Sequence, residues 1–266
     1  MTADRLEGSD PGSLRDALIA AATSAFEDAG LSGLCVEGRW EAAVDAMRSV
    51  ELESRDPMRD LSRSVAGMVA AVGGASAAPP GGGSAAASAG ALAAALTQMV
   101  AGLTTGRPRY AHVAAEMQRA ADRAATLAAE LAELVRRDAV AFDAVSAAYR
   151  LPKETAEATS ARAAAIERAM APATQSPLEI ARAAADVAEL AAIIAERGNR
   201  NAVADAAVAA VLAEAACRAA ALTVRVNAPA LGDAQAGLML AAEAVAHGDR
   251  AANATARAVA AVERPS

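Results

Sequence analysis

Hydrophobic and polar positions along this chain alternate with the period of an α-helix, and no segment has the pattern of a strand. Nowhere does a run of Val, Ile, Thr, Tyr and Phe alternate with polar residues. Glycine and proline interrupt the helical pattern at clear points, and these points set the predicted helix ends. The pattern predicts helices over about 84–104, 109–149, 201–226 and 234–262, one from Asp56 to Gly73, one opened by Pro152, and one from Ser176 to Gly198.

The predicted helix start at Ser176 rests on a short motif. Residues Ser176 to Glu179 read SPLE, which has the form of a capping box with proline at the first helical position, so a new helix is expected to begin there. Two shorter helices are expected upstream, over about 14–29 and 39–54. The predicted fold is therefore all-α: a bundle of about seven body helices with a two-helix N-terminal addition.

Composition adds an expectation about assembly. Hydrophobic residues make up 55% of the 266 residues but aromatic residues only 2%, so the apolar content is mostly alanine. Alanine favours helix and lets helices approach closely, but it buries little area per residue. Because the core is thin for the length of the chain, burial against a second copy is expected, and a homodimer is the natural arrangement.

Charge is distributed unevenly and suggests two domains. Residues 1–56 hold 12 acidic residues and 5 arginines, which account for the net charge of −7, while the remainder is balanced. We expect an acidic helical extension over residues 1–55 and a helical domain over residues 56–266. No basic stripe is present, which argues against nucleic-acid binding.

A stretch of 43 residues from Ser64 to Gly106 carries no charge. Its length would allow a membrane span, but prolines and glycines interrupt it and strongly inserting residues are few. Two helices buried in the centre of the bundle, and no membrane, are expected instead. The acidic N-terminus has no apolar core, and two distant cysteines indicate a reducing compartment, so a cytoplasmic location is expected. The two histidines and two cysteines show no metal-ligand spacing, and no metal is expected.

A glycine loop precedes the helix at 84. The sequence PPGGGS, from Pro79 to Ser84, lacks the lysine of a phosphate-binding loop. Three glycines before a helix allow a ligand or another backbone to approach closely, and they leave backbone N–H groups at a positive helix end. A tight turn between two packed helices would use the same residues, and both interpretations remain open at this point.

One carboxylate shares a helical face with aromatic residues. On a helical wheel Phe142, Val145 and Tyr149 all fall within about 40° of Asp138. A carboxyl group on an apolar face is partly desolvated, which raises its pKa and suits a general acid–base. An arginine from a neighbouring helix that neutralises Asp138 is the alternative.

Two further features stand out. Lys153 is the single lysine beside 24 arginines, which suggests a position where a compact, titratable ammonium is needed. Asn199 and Asn201 follow Gly198 at a helix junction, where asparagines either cap helices or present amides to a polar ligand.

Taken together, PPGGGSAAASAGALAAALTQMV, DAVAF, YRLPK and GNRNAVAD resemble, in order and spacing, the cyclodeaminase/cyclohydrolase family over roughly Asp56 to Ala260. This family includes the C-terminal domain of formiminotransferase-cyclodeaminase and stand-alone methenyltetrahydrofolate cyclohydrolases. The resemblance implies an all-helical, dimeric, cytoplasmic enzyme that acts on one-carbon tetrahydrofolates without a metal or cofactor. Its folate substrate is expected to carry one glutamate or several.

The resemblance also implies roles for particular residues. Asp138 and Lys153 match the family's catalytic aspartate and lysine, and Lys153 would anchor a glutamate carboxylate or assist proton transfer. Phe142 or Tyr149 would stack on the flat rings of the substrate. The remaining residues that would bind substrate are Gly81, Gly82, Gly83, Ser84, Asn199, Asn201 and Asn227.

One position departs from the pattern of many relatives. Thr223 stands where they carry the first asparagine of an Asn-Val-x-x-Asn motif, and this leaves the exact reaction open. Because no formiminotransferase domain is fused to this sequence, a cyclohydrolase is favoured over a cyclodeaminase. A non-catalytic bundle that binds folate or a partner protein is the alternative from a different class.

Overall fold

The computed structural model of the chain describes residues 11–32, 35–49, 65–74 and 80–264. The chain divides into two compact units, residues 1–56 and 57–266. This division falls beside the boundary expected from charge, and the assignment of the first unit as a separate extension remains a prediction.

Within its described residues, the first unit contains two helices, α1 (Pro11–Leu31) and α2 (Val36–Ser49). Their contact is built on Phe26, whose ring meets Trp40 edge to face with centroids 5.2 Å apart. The Arg39 guanidinium lies 4.2 Å from the centre of the Phe26 ring, and its Nε donates to the Phe26 carbonyl oxygen. A cation over an aromatic ring adds to the apolar contact between the two helices.

The second unit contains six described α-helices and no described strand, which confirms the all-α prediction. They are α3 (Val65–Val72), α4 (Gly82–Gly102), α5 (Ala114–Tyr149), α6 (Ala156–Arg197), α7 (Val203–Asn227) and α8 (Ala234–Val262). Short 3₁₀ turns at Pro108–Val113, Arg200–Ala202 and Ala228–Ala230 connect the longer helices.

The core is built mainly from alanine, as the composition suggests. α4 packs against α5, α6 and α7 and contributes Ala87, Ala93 and Ala94, all fully buried. Larger side chains such as Leu127 and Leu131 of α5 fill the spaces between the closely approaching helices. Alanine side chains bring the helix backbones together, and this close packing is what shapes the site at one end of α4.

The prediction of a helix start at Ser176 is wrong. α6 continues through this segment over 42 residues and contains both Pro172 and Pro177, while its true N-cap is Thr155, whose side chain accepts from the Ala158 N–H. A capping box and an internal proline look alike in sequence. Here the helix persists because its second half is buried in the bundle, and the packing outweighs two lost backbone hydrogen bonds. One described helix, α6, thus spans the two helices that were expected on either side of Ser176.

The uncharged stretch also differs from expectation. α4 is half-buried in the bundle, but no residue of α3 is buried: Val65 is 72% exposed and Val69 67%, and Met68 alone packs partly against the core. Two described helical segments, Gly82–Gly102 and Arg200–Ala230, are long and apolar enough to cross a membrane. In their most apolar windows, 44% and 50% of the residues are buried inside the bundle, as in core helices of soluble proteins, so this is weak evidence for a span.

Candidate functional site

Four helices meet around a cavity of about 250 Å³ at the N-terminal end of α4. The start of α4, the middle of α5, the middle of α6 and the last turn of α7 each supply part of its wall. The lining residues are Gly81, Gly82, Gly83, Asp138, Phe142, Val145, Met170, Ala173, Thr223 and Asn227.

The carboxylate of Asp138 lies directly against the first turn of α4. A Cβ atom added at Gly83 would stand 2.1 Å from Asp138 Oδ1, so only glycine allows this approach. The Ser84 hydroxyl lies 2.8 Å from Asp138 Oδ2, and the Ser84 backbone N–H is near enough to the carboxylate to lower its pKa. An unpaired N–H group at a positive helix end is a natural partner for a negative charge. Of the three glycines, Gly83 therefore serves close approach, whereas a Cβ at Gly81 or Gly82 would meet no atom within 4 Å.

The Ser84 hydroxyl has two acceptors within reach but only one hydrogen. Its Oγ lies 2.8 Å from Asp138 Oδ2 and 3.2 Å from the Val135 carbonyl oxygen. When Asp138 is ionised, Ser84 can donate to the carboxylate. When Asp138 is protonated, its O–H can donate to Oγ while the Ser84 hydrogen turns to Val135. The same hydroxyl thus has a hydrogen-bonded arrangement for each protonation state.

Burial raises the pKa of the Asp138 carboxyl above the ordinary value, and the two hydrogen bonds from Ser84 offset part of this effect. Within the described residues no arginine or lysine pairs with Asp138. The adjacent Arg137 points elsewhere, with its Nη1 2.6 Å from Glu179 Oε2. The alternative of an arginine-neutralised aspartate is therefore not what the structure contains, and a desolvated carboxyl faces the cavity.

The rest of the wall is mostly apolar. Phe142 lies one turn along α5 from Asp138 and remains 45% exposed, which leaves its ring free to contact a ligand. Val145 continues the same face, and Met170 of α6 lies opposite. A cavity with apolar walls, one aromatic ring and one desolvated carboxyl fits a flat organic ligand.

The orientation of the Asn227 side-chain amide follows from the presence of Pro177 in α6. Proline has no N–H, so the Ala173 carbonyl of α6 lacks its helical donor four residues on. The Asn227 Nδ2 donates to this carbonyl oxygen at 2.7 Å. Because the partner is an acceptor, the amide nitrogen must face α6, which leaves Oδ1 as a hydrogen-bond acceptor on a residue that lines the cavity.

A larger cavity of about 340 Å³ is lined by residues of α5 and α6, among them Arg137. Its wall is charged, and its arginines are engaged: Arg123 pairs with Glu130 and Asp186, and Arg182 pairs with Glu243. With its cations already neutralised and no aromatic ring in its wall, it is a poorer ligand site than the cavity at Asp138.

The family model of formiminotransferase-cyclodeaminase matches residues 64–246, which include every element of the Asp138 cavity. The chain belongs to the formiminotransferase-cyclodeaminase family.

Individual relatives cover both kinds of enzyme suggested by the sequence. A methenyltetrahydrofolate cyclohydrolase of Methylorubrum extorquens is 47% identical over 142 residues, 53% of this chain and 68% of that protein. A formimidoyltransferase-cyclodeaminase of Mus musculus is 36% identical over 136 residues, 51% of this chain and 25% of that protein. The crystal structure of a formiminotetrahydrofolate cyclodeaminase from Thermotoga maritima matches with a TM-score of 0.68 at 26% identity, covering 75% of this chain and 96% of that one.

Not every residue that the family resemblance implies lies in this cavity. Gly81, Gly82, Gly83, Asp138, Phe142 and Asn227 line it, and Ser84 lies directly behind Asp138. Tyr149 and Lys153 lie further along α5 and in the loop after it, where both are exposed. None of these positions tests a role in substrate binding, which remains a prediction for each.

Asn199 and Asn201 are not part of this cavity. Asn199 Nδ2 donates to the Leu103 carbonyl and Asn199 Oδ1 accepts from the Asn201 N–H, so Asn199 caps the C-terminal end of α4 and the turn after α6. Since the 21-residue α4 spans about 30 Å, this junction is a full helix length from Gly82. Within one chain, Asn199 therefore serves as a cap, and Asn201 contributes its backbone N–H to that cap. A role of either residue in substrate binding remains a prediction.

Sequence reasoning missed two wall residues, Met170 and Ala173, because it placed a helix boundary close behind them. Had Pro177 been treated as internal to α6, the carbonyl four residues before it would have been identified as an unpaired acceptor. That was the available signal for a polar partner near Ala173. Thr223, noted as a departure from relatives, does line the cavity one turn before Asn227.

Proposed function

We propose that this protein is a methenyltetrahydrofolate cyclohydrolase, which hydrolyses 5,10-methenyltetrahydrofolate to 10-formyltetrahydrofolate. The observation that carries the proposal is the desolvated Asp138 carboxyl, held at the start of α4 by Ser84 and open to an apolar cavity. The relative from Methylorubrum extorquens, which shares 47% identity over 142 residues, supports this activity over the other members of the family.

In this mechanism Asp138 moves protons at the one-carbon bridge. A water molecule attacks the bridge carbon of the cationic substrate, and the ionised Asp138 takes one of its protons as the C–O bond forms. The product of this step is a neutral tetrahedral carbon that carries a hydroxyl and is bonded to N5 and N10.

The ring then opens at N5. The C–N5 bond breaks as the hydroxyl oxygen forms the formyl carbonyl, Asp138 returns its proton to N5, and the hydroxyl proton leaves to solvent. The whole reaction consumes one water and releases one proton. Ser84 stabilises Asp138 in both protonation states, so neither step leaves the carboxyl without a hydrogen-bond partner.

The second candidate is a formimidoyltetrahydrofolate cyclodeaminase, a lyase. In that reaction N10 attacks the formimino carbon and ammonia leaves, through a tetrahedral carbon that bears an amino group in place of a hydroxyl. A protonated Asp138 would supply the proton that the departing amine needs, and a raised pKa favours that form. The structural match to the Thermotoga maritima cyclodeaminase, which covers 96% of that chain, supports this candidate.

We also propose that the protein works as a cytoplasmic homodimer without a resident metal or cofactor, and that neither a membrane nor a nucleic acid is its partner. The support for a dimer is the surface of α4 and α7, where large apolar side chains are exposed: Leu92 by 58%, Leu222 by 60% and Val226 by 77%. A second copy would remove this apolar surface from water. Light scattering on the purified protein without detergent, compared with the Leu222→Asp variant, tests both the dimer and the absence of a membrane anchor.

The activity is tested by following the near-ultraviolet absorbance of the methenyl bridge with two substrates in parallel. Loss of the band from 5,10-methenyltetrahydrofolate, faster than in buffer, is the expected result and establishes the cyclohydrolase. Appearance of the band from 5-formiminotetrahydrofolate would establish the cyclodeaminase instead. If neither changes while a folate still binds, the protein is a non-catalytic folate-binding bundle; if no folate binds, the family fold serves another purpose.

A further inference from the structure

The wall that carries Asp138 continues outward along α5 to a basic end. Tyr149 shares the helical face of Asp138 and lies 11 residues further, about 16 Å along the helix axis. α6 runs beside this face, and Arg162 lies two turns before the cavity-lining Met170. On the α6 wheel Arg162 falls within about 20° of Ala173, the other α6 residue in the cavity wall. Both helices thus direct one face from the cavity toward the same outer end.

Arg162 is held in place at this end. Its Nε and Nη2 donate to the Tyr149 carbonyl oxygen at 3.2 and 3.1 Å, and its guanidinium carbon lies 5.3 Å from the centre of the Tyr149 ring. These contacts use only part of its five N–H groups, and Nη1 has no acceptor among the residues that the structure describes. A guanidinium fixed by its other nitrogens loses little conformational entropy when it binds a ligand.

The charges around Arg162 favour an anion. Lys153, the single lysine of the chain, lies in the loop between α5 and α6, and no ion pair in the described part of the chain involves it or Arg162. The nearest acid along the chain, Glu154, already accepts the Lys153 backbone N–H at 2.9 Å. The outer end of the wall therefore presents two cations that form no ion pair with a described carboxylate.

We propose that Arg162 binds a carboxylate of the glutamate tail of the folate substrate, with Lys153 beside it. The proposal rests on the proposed function, because it takes the substrate to be a tetrahydrofolate. Such a ligand has its reacting carbon between N5 and N10, and its benzoyl-glutamate arm extends about 10 Å from N10 to the first carboxylate, with bond lengths like those of a peptide.

The spacing along the wall matches this ligand. When the bridge carbon is placed at Asp138, the benzoyl ring comes alongside Phe142. The first carboxylate then ends before the level of Tyr149, and the side chain of Arg162 is long enough to reach across the remaining distance. A guanidinium meets a carboxylate through two parallel N–H···O bonds, and a more distant lysine adds charge for a second glutamate. Arg162 is thus a binding residue for the tail, remote from the reacting atoms.

Binding of two stable ligands tests the assignment by calorimetry. 5-Formyltetrahydrofolate carries the glutamate tail, and 5-formyltetrahydropteroyl methylamide keeps the amide but lacks both tail carboxylates. We expect Arg162→Gln to weaken binding of the first ligand about tenfold, the size of one charge-assisted hydrogen bond, and to leave the second unchanged. High salt should reduce the difference because the site is partly exposed.

Two further variants make the result specific. Arg168→Gln removes the same charge from another face of α6, and it should change neither affinity. Arg162→Lys keeps the positive charge but loses the paired N–H donors of the guanidinium, so its affinity for 5-formyltetrahydrofolate should lie between those of the wild type and Arg162→Gln. Thermal unfolding of each variant checks that α5 and α6 still pack.

Equal weakening of both ligands by Arg162→Gln would show that Arg162 acts only on the packing of α5 and α6 and would overturn the proposal. So would unchanged affinity for the ligand with the tail. If the wild-type protein binds neither ligand, the proposed folate function itself fails and the tail site fails with it. If both ligands bind but 5,10-methenyltetrahydrofolate is not hydrolysed, the comparison of the two ligands still decides the role of Arg162.

Discussion

Gly83 and the Asp138 carboxylate are so close that no other residue fits at position 83 with Asp138 in its present place. The missing Cβ would stand 2.1 Å from Oδ1, far inside van der Waals contact. The Asp138 carboxylate of α5 packs directly on the backbone of α4, and this is possible only because the side chain at position 83 is a hydrogen atom. This contact sets the position of the carboxyl in the cavity.

Gly83→Ala should therefore reduce both activity and stability. The added methyl group displaces the Asp138 carboxyl, which is the end of a side chain and can move, so we expect a loss of about 1–3 kcal/mol in unfolding free energy. A displaced catalytic group costs about 100-fold or more in kcat/KM. Gly102→Ala at the other end of the same helix meets no atom within 4 Å and is the matched control, with unchanged activity and unchanged or slightly higher stability.

Asp138→Asn should remove the proton transfer and keep the shape of the cavity. The amide oxygen can still accept from Ser84, but it cannot take a proton at neutral pH, so kcat should fall by about 10²–10⁴-fold. The absorbance of the methenyl bridge measures this directly. A variant that folds normally and keeps full turnover would contradict the mechanism.

The same variant should change how stability depends on pH. Because burial raises the pKa of Asp138 above the ordinary 3.8, the folded protein binds this proton more tightly than the unfolded chain does. Stability is then lost as pH rises from the ordinary value through the raised one. Thermal unfolding of the wild type and Asp138→Asn from pH 4 to pH 7 should show the variant gaining on the wild type with increasing pH. A constant difference would mean that Asp138 titrates normally.

Ser84→Ala should move the pH dependence of turnover to higher pH. The hydroxyl lowers the pKa of Asp138 by donating to its carboxylate, so its loss raises that pKa further, and the ionised form that activates water appears only at higher pH. The acidic limb of the kcat/KM profile reports this shift. Ser88→Ala, one turn later on α4, removes a hydroxyl that bonds only the Ser84 carbonyl, and its profile should match that of the wild type.

These relationships show which parts of the site are written in local sequence and which are not. The helical period predicted that Phe142 and Val145 share a face with Asp138, since that depends on one helix alone. The glycines at the start of α4 predicted a close approach of some group to the backbone, but the sequence did not identify that group. The contact between Gly83 and Asp138 joins residues that are distant in the chain, so it depends on how α4 packs on α5.

The wrong helix boundary has the same origin. Pro177 was expected to start a helix because a capping box and an internal proline share local sequence, and only the packing of α6 in the bundle distinguishes them. The contact of the Asn199 amide with the far end of α4 likewise depends on packing, and its expected role in substrate binding remains a prediction. The sequence of a helix does not indicate which neighbouring helix a polar residue at its end will contact.

Pro177 and Asn227 should be energetically coupled through the Ala173 carbonyl that lies between them. Asn227→Ala removes the amide donor and leaves this carbonyl without a protein partner, at a cost of about 1 kcal/mol. In the Pro177→Ala background residue 177 regains an N–H that can bond the same carbonyl, so the cost of Asn227→Ala should be smaller there. Urea unfolding of the four proteins gives the coupling energy, expected at about 1 kcal/mol.

Asn227→Asp tests the orientation of the side chain at position 227 in a second way. A carboxylate has no donor for the Ala173 oxygen, so the two acceptors repel, and we expect a larger loss of stability than for Asn227→Ala. If Asn227→Ala costs the same in both backgrounds, the proline does not orient the amide, and Oδ1 is not fixed as an acceptor toward the cavity. A coupling of the expected size would mean that an interruption in the backbone of α6 determines which end of the Asn227 amide a ligand meets.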